Sequence, residues 1–400
     1  MPVPALFDDV YVIDADTHLT EPHDLWTSRA PAAFRDRVPC VKPDANGTPT
    51  WIVDGKELSK AGGAAVVKAD GSKVFGTQFF GLGIEDVHAG AYSATERLAT
   101  MDELGIGAQI IYPNTFGLGG QTFAKLADPE LRLLTATIFN DAMAEMQSDS
   151  NGRLVPMAAL PWWDVDVAVA EVERVHAMGL RGINTTTAPH AHGLPDLGEP
   201  YWNPLWEVCS SLSMPVNFHI GAAESDIAWF GTVGWPSLGM DQKLAVGSAM
   251  LYLNNASCLA NMIFSGVLER YPALQIVSVE SGVGWFPFFM QAVDHQANEL
   301  PPGTLDYLSM APSEYFKRQI HACFWFERTG LEAAIEALGS EHIMFETDYP
   351  HPTCTYPNGL ELAAEALAGI EDPQVRRNLM GDNAARLYHL ETPASMGRRG

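Results

Sequence analysis

Four hundred residues, 47% of them hydrophobic and including 10 Trp, 18 Phe and 11 Tyr, suffice to bury a large core, which excludes a disordered chain or a small stapled scaffold. Against 49 acidic side chains stand only 24 basic ones, and the resulting formal charge of -25 argues against nucleic acid and anionic membranes as partners. The five cysteines, Cys40, Cys209, Cys258, Cys323 and Cys354, are scattered without CxxC spacing, so they read as reduced structural thiols in a cytoplasmic protein.

In chain order, short β-branched runs alternate with longer amphipathic windows. The strand expectations are 11–18 ("YVIDADTH"), 108–113 ("AQIIYP"), 154–161 ("LVPMAALP"), 180–187 ("LRGINTTT"), 215–221 ("PVNFHIG"), 274–282 ("LQIVSVESG"), 320–326 ("IHACFWF") and 342–351 ("HIMFETDYPH"). Helical windows lie between them, several ending at Gly or before Pro. Eight such βα units predict an α/β fold of the (β/α)8 TIM-barrel type, a single domain over residues 10–390, with a doubly wound open sheet as the competitor. Two stretches break the alternation: residues 27–93, rich in Gly, Pro and Lys, and residues 222–241, rich in Gly and aromatics. They follow strands one and five, so both are expected as long insertions over the same rim; residues 391–400 read as a flexible tail.

The first strand ends in "DADTH". Simple alternation puts Asp14, Asp16 and His18 on one face and Ile13, Ala15 and Thr17 on the other. In a barrel the first set would face the lumen, with Asp16 and His18 at the mouth where barrel active sites are built. A strand-end Asp-x-His pair is also a common polar terminus, but His219 closes strand five and Asp348 closes strand eight in the same way. Imidazole and carboxylate gathered at strand ends suit one divalent ion such as Zn or Mn. Glu280, ending strand six, could ligate the ion, act as general acid/base beside it, or cap the following helix. His351, three residues after Asp348, could support that carboxylate or meet substrate. Glu21, Arg181, Trp229 and Trp325 are the candidates for substrate contact, with Phe230 and Trp235 as further aromatics of the same rim; the aromatics could equally pack the core.

The segments "VIDADTHLTEPHDLW", "NFHIG", "VESGVGWFPF" and "FETDYPHP", in this order and spacing, resemble the amidohydrolase-related branch of the amidohydrolase superfamily, which includes aminocarboxymuconate-semialdehyde decarboxylase and related aromatic-acid decarboxylases. The resemblance spans roughly residues 10 to 390 and implies a barrel with one divalent metal on Asp16, His18, His219 and Asp348. It also implies catalysis near Glu280, which stands where the better-known decarboxylases have histidine. The expected activity is a metal-dependent decarboxylase of a small unsaturated or aromatic acid. The alternatives are a metal-dependent hydrolase of a small ester, amide or lactone, in which Glu280 or Asp348 would deprotonate a metal-bound water, and a non-catalytic metal-binding barrel. The window "MLYLNNASCLANMIFSGVLERY" is apolar all round, which predicts a homodimer covering it.

Overall fold

The structure is a computed structural model describing residues 3–114, 117–226 and 235–393. Strand β1 (Ile13–His18) precedes a three-stranded antiparallel sheet of β2 (Cys40–Pro43), β3 (Pro49–Val53) and β4 (Lys56–Lys60). The parallel strands continue with β5 (Ala108–Tyr112), β6 (Leu154–Pro156), β7 (Ala158–Ala159), β8 (Ile183–Asn184), β9 (Val216–His219), β10 (Ile276–Val279), β11 (Ile320–Phe324) and β12 (Ile343–Phe345). Two sheets, β1-β5-β6 and β7 to β12 in sequential order, join into one barrel. At one seam β6 and β7 are a single strand interrupted at Met157; at the other, Asp348 N–H donates to Asp16 O at 2.9 Å and His18 N–H to Tyr349 O at 2.8 Å. The expected (β/α)8 barrel is therefore the fold, with one extended segment for each of the eight predicted strands.

Helices separate the strands and start where the sequence marks them. Asp128 Oδ1 accepts from Glu130 N and Leu131 N to cap Pro129–Asp149, and Asp164 caps Val165–Ala177 in the same way. Strand residues alternate between the two cores. Val277, Val279, Cys323 and Met344 fill the lumen with Ile110 and Tyr112, while Val216, Phe218, Ile276 and Phe324 pack outward under the helices. The C-terminal helix Asn383–Leu387 closes the lumen floor: Tyr388 Oη just beyond it donates to Asn217 Oδ1 at 2.7 Å.

Alternation in β1 does not run as expected. Ile13 pairs with Ala108 and Asp14 with Gln109, yet Thr17 pairs with Ile111, so β1 spends one residue more than β5 over the same span. This bulge reverses the parity of the strand midway. Ile13 and Ala15 belong to the lumen core, and beyond the bulge Asp16 and His18 face the same way. Asp14 instead points outward, where it accepts hydrogen bonds from Thr347 N (2.8 Å), Thr347 Oγ1 (2.6 Å) and Gln109 Nε2 (3.1 Å). The expectation of a common face for Asp14, Asp16 and His18 is corrected accordingly.

The insertion at 27–93 holds the antiparallel sheet rather than an irregular loop, turned by Asp54 and Gly55, both at positive φ. It rests on the strand-end side of the barrel, where Val66 N–H donates to Pro350 O at 2.9 Å. Thr77 N–H and Oγ1–H both donate to Asp241 Oδ1 at 2.8 Å, so the two insertions do meet over one rim. The apolar window 250–271 is not one helix: helix Met240–Leu251 ends within it, followed by Asn255–Phe264 and Val267–Arg270. Cys258, Leu259, Met262 and Ile263 bury its apolar side inside the chain itself.

Candidate metal centre

Five side chains converge at the C-terminal ends of the strands: Asp16 and His18 of β1, His219 of β9, Glu280 after β10 and Asp348 after β12. Ligand atoms of Asp16, His18, His219 and Glu280 all lie within 4.8 Å of one another, as do those of His18, Glu280, Asp348 and His351. His18 Nε2 is 3.6 Å from Asp16 Oδ1 and 3.4 Å from Asp348 Oδ1, while His219 Nε2 is 3.5 Å from Asp16 Oδ2 and 3.3 Å from Glu280 Oε2.

The backbone is bent to achieve this. Val277 and Val279 face the lumen, so plain alternation would turn Glu280 outward; a left-handed φ of 56° returns its carboxylate to the mouth. Asp348 has the same φ of 56° where β12 breaks into its turn. A non-glycine residue held there costs about 1–3 kcal/mol, and such strain gathers at functional sites.

The donor set fits a divalent cation. His18 Nδ1 donates to Pro113 O at 3.3 Å and His219 Nδ1 to Ile220 O at 2.7 Å, so both rings turn a lone pair on Nε2 toward the centre. Both oxygens of Asp16 and Oδ1 of Asp348 are buried without a hydrogen-bond partner. Such orphaned carboxylate oxygens are costly unless positive charge meets them. Burial, then the charges of Asp348 and Asp14, pushes the Asp16 carboxyl far above its usual range; burial also raises Glu280 and Asp348. Burial lowers His18, and takes His219 down to about 4, so the imidazoles are held neutral, as ligands must be.

Around the centre, His351 stacks on His18 with ring centroids 3.6 Å apart; its Nδ1 lies 3.4 Å from Asp348 Oδ1, and its Nε2 donates to Asn114 Oδ1 at 3.0 Å. Thr353 Oγ1 donates to Asp348 Oδ2 at 2.6 Å. Glu21 is buried and accepts from Asn114 N at 3.2 Å, which ties it to the wall of the same site. Trp325 follows lumen-facing Cys323 by two residues at the end of β11, packs edge-on to Tyr252 at 5.7 Å, and buries an indole Nε1–H that has no partner. Trp229 and Phe230 lie outside the described residues, and Trp235 is exposed.

Arg181 is misplaced by the sequence reading. It stands two residues before Ile183, which pairs with Val216, so it lies level with Met214, at the opposite end of the barrel from His219. Five residues of strand separate the two levels, about 16 Å at the usual rise. Arg318 likewise precedes β11 and donates to Leu268 O at 2.6 Å. Arg97 is buried behind β1, donating to Gly90 O, Gln109 Oε1 and His18 O. The nearby cation that sequence reasoning missed is Lys73 of the rim insertion, whose Nζ donates to Cys354 O and whose charge favours an ionised Asp348. Asn114 and Thr353 were also missed; Asn114 stands two residues past β5 and Thr353 in the turn that follows β12, and those places were the available signal.

Barrel and strand-end donor set together define an enzyme of the metal-dependent (β/α)8 class. The amidohydrolase family model matches residues 13–390, and the chain belongs to that family. It is 25% identical over 280 residues to 2-amino-3-carboxymuconate-6-semialdehyde decarboxylase of Dictyostelium discoideum, covering 67% of this chain and 70% of that one. It is 28% identical over 315 residues to gamma-resorcylate decarboxylase of a Polaromonas species, covering 74% and 86%. Among solved structures, a dihydroxybenzoic acid decarboxylase of Polaromonas with bound manganese and the inhibitor 2-nitroresorcinol superposes with a TM-score of 0.62 at 19% identity, over 97% of this chain and 99% of that chain. Among the described residues no helix is long and apolar enough to cross a membrane.

Proposed function

We propose that the chain is a metal-dependent carboxy-lyase that removes CO2 from a small aromatic or unsaturated acid. The observation that carries this reading is the distribution of exposure at the centre. The side chains of Asp16, His18, His219 and Asp348 are fully buried, whereas that of Glu280 keeps 9% of its surface open toward the mouth. We assign the first four to the ion, Zn or Mn, and Glu280 to the substrate. The decarboxylases among the relatives support the reaction class.

When bound, the ion supplies positive charge and a Lewis acid for the oxygens of the acid. The chain supplies the rest. Glu280 delivers a proton to the ring carbon bearing the carboxylate; the C–C bond then breaks, its electron pair restores the ring, CO2 departs, and Glu280 recovers a proton from solvent. His351 and Thr353 hold Asp348 in place, and the Trp325 indole N–H is available to a substrate oxygen. Glu21 orders the mouth through Asn114. The five buried free cysteines suit a reducing cytoplasm, and the exposed apolar side chains of Met240, Met250 and Leu253 support a homodimer.

The test is CO2 release from 2-hydroxybenzoates by the manganese- or zinc-loaded protein, run beside phenyl esters and lactones. Stoichiometric CO2 with loss of the acid is expected; metal-dependent ester turnover without CO2 from any acid overturns the proposal.

A further inference from the structure

The rim insertion does more than cover the barrel. Between β3 and β4, the stretch 63–64, and the short 3-10 helix Gly76–Gly81 it shapes a half-open cavity of about 480 Å³, a volume ordinary for a small-molecule site. Leu58, Ala64, Phe79 and Phe80 give it apolar walls, and the fourth side is the barrel residue Asn114. Asn114 is the same residue that accepts from His351 Nε2 at 3.0 Å, and His351 stacks on His18. The cavity therefore ends two side chains from the metal centre.

Gly63 is what lets it reach that far. A Cβ there would stand 2.8 Å from Asn114 Nδ2 and 3.1 Å from Thr20 Oγ1, and its φ of +64° already disfavours any side chain. The chemistry of the lining restricts the occupant. Among the described lining residues there is no Lys or Arg, and Glu57 stands at the wall, so a second carboxylate would be repelled.

We propose that this cavity is a second subsite of the active site, taking an uncharged aryl or alkyl substituent of an aromatic acid whose carboxylate lies at the metal centre. The preferred substrate is then a substituted aromatic monoacid rather than a bare hydroxybenzoate or a diacid. The naming of an acid rests on the carboxy-lyase reading; the existence of the subsite does not.

The experiment measures, by calorimetry on the manganese-loaded full chain, dissociation constants for 2-hydroxybenzoate and its 4-phenyl and 5-phenyl derivatives, with CO2 release followed in parallel. At least one phenyl derivative is expected to bind about tenfold tighter than the parent acid, as burial of an aromatic ring predicts. Ala64→Trp, which fills the cavity, is expected to erase that advantage while leaving 2-hydroxybenzoate within about twofold, the two sites being separate. Should Ala64→Trp fail to fold, Phe80→Ala, at an exposed wall residue, is expected to cut the advantage severalfold. Equal affinity of all three acids for the wild type, or an advantage that survives both variants, overturns the subsite. Tight binding of a phenyl derivative without CO2 from any acid supports the subsite and overturns the lyase reading instead.

Discussion

The Nε2 atoms of His18 and His219 stand 3.2 Å apart, and each ring has committed its Nδ1 proton to a backbone carbonyl. Two lone pairs at that distance repel unless a cation lies against both, and the orphaned oxygens of Asp16 ask for the same charge. Protein stripped by a chelator is therefore expected to gain stability when Mn or Zn is returned, by about 2.7 kcal/mol at a hundredfold excess over Kd. Thermal unfolding with and without metal, beside elemental analysis, checks this. A melting temperature indifferent to metal, with none retained, would contradict the assignment.

The bulge in β1 gives two neighbouring aspartates different work. Asp16→Asn removes charge from the centre and is expected to lower metal content below half. Asp14→Asn leaves metal content intact but sets an amide against the donors Thr347 and Gln109, which costs about 1–3 kcal/mol of stability. If Asp14→Asn also empties the site at unchanged stability, Asp14 faces the lumen after all.

Much of this was legible in the chain because the relevant signals are local. A run such as "IMF" or "VNF" followed by a polar residue shows both strand and strand end, so Asp16, His18, His219, Glu280 and Asp348 could be picked out singly and then gathered by the barrel. The bulge could not be read, since it exists only in the pairing of β1 with β5, and it reversed the parity of Asp14. Arg181 failed for another reason: the strand was expected to begin at residue 180, but direction along it decides which end meets substrate, and Arg181 is at its start. The sheet of the insertion was signalled by Asp54-Gly55 between apolar runs, a hairpin cue masked by the surrounding Gly and Lys. Asn114 and Thr353 offered only their places beyond strand ends, and Lys73 acts through the distant Cys354 and carries no local pattern.

A second pair of histidines, far from the metal centre, sets an acid limit. His321, at the start of β11, is buried; its Nε2 donates to Gln275 Oε1 at 2.9 Å, and its ring lies 4.8 Å from that of His342, with the charge of Arg386 nearby. Burial holds both histidines below their ordinary value, and their mutual repulsion adds to this for His321. Above pH 6.5 neither state binds the protons, so nothing is lost. As pH falls below 6.5 the unfolded chain takes protons that the folded pair refuses, and stability drops by up to about 1.4 kcal/mol per pH unit for each histidine. Urea unfolding at pH 7.5 and pH 5 is expected to show this fall, and His321→Gln to flatten it; an unchanged slope in the variant would place the acid sensitivity elsewhere.

Glu280→Gln separates a proton carrier from a ligand. The amide keeps the shape and the Thr353 contact but cannot deliver a carboxyl proton, so metal content is expected to stay near wild type while kcat falls about 10²- to 10⁴-fold. Loss of the ion together with activity would instead make Glu280 a ligand.

Trp325 offers an incoming acid a neutral hydrogen-bond donor. Three carboxylates crowd the centre, Arg97 spends its donors on backbone and Gln109, and Arg181 sits at the far end, so beyond the ion an incoming acid meets the charge of Lys73, itself bonded to Cys354 O. The indole Nε1–H is a buried donor left without a partner at the end of β11, which is the state expected of a group that finds its acceptor on the substrate. Trp325→Phe keeps an aromatic edge for Tyr252 and removes only the donor. A hydrogen bond to a charged oxygen is worth about 1.5–3 kcal/mol, so KM for the acid is expected to rise roughly tenfold or more, with kcat changing far less. A fall in melting temperature with KM unchanged would mean that the indole serves packing alone.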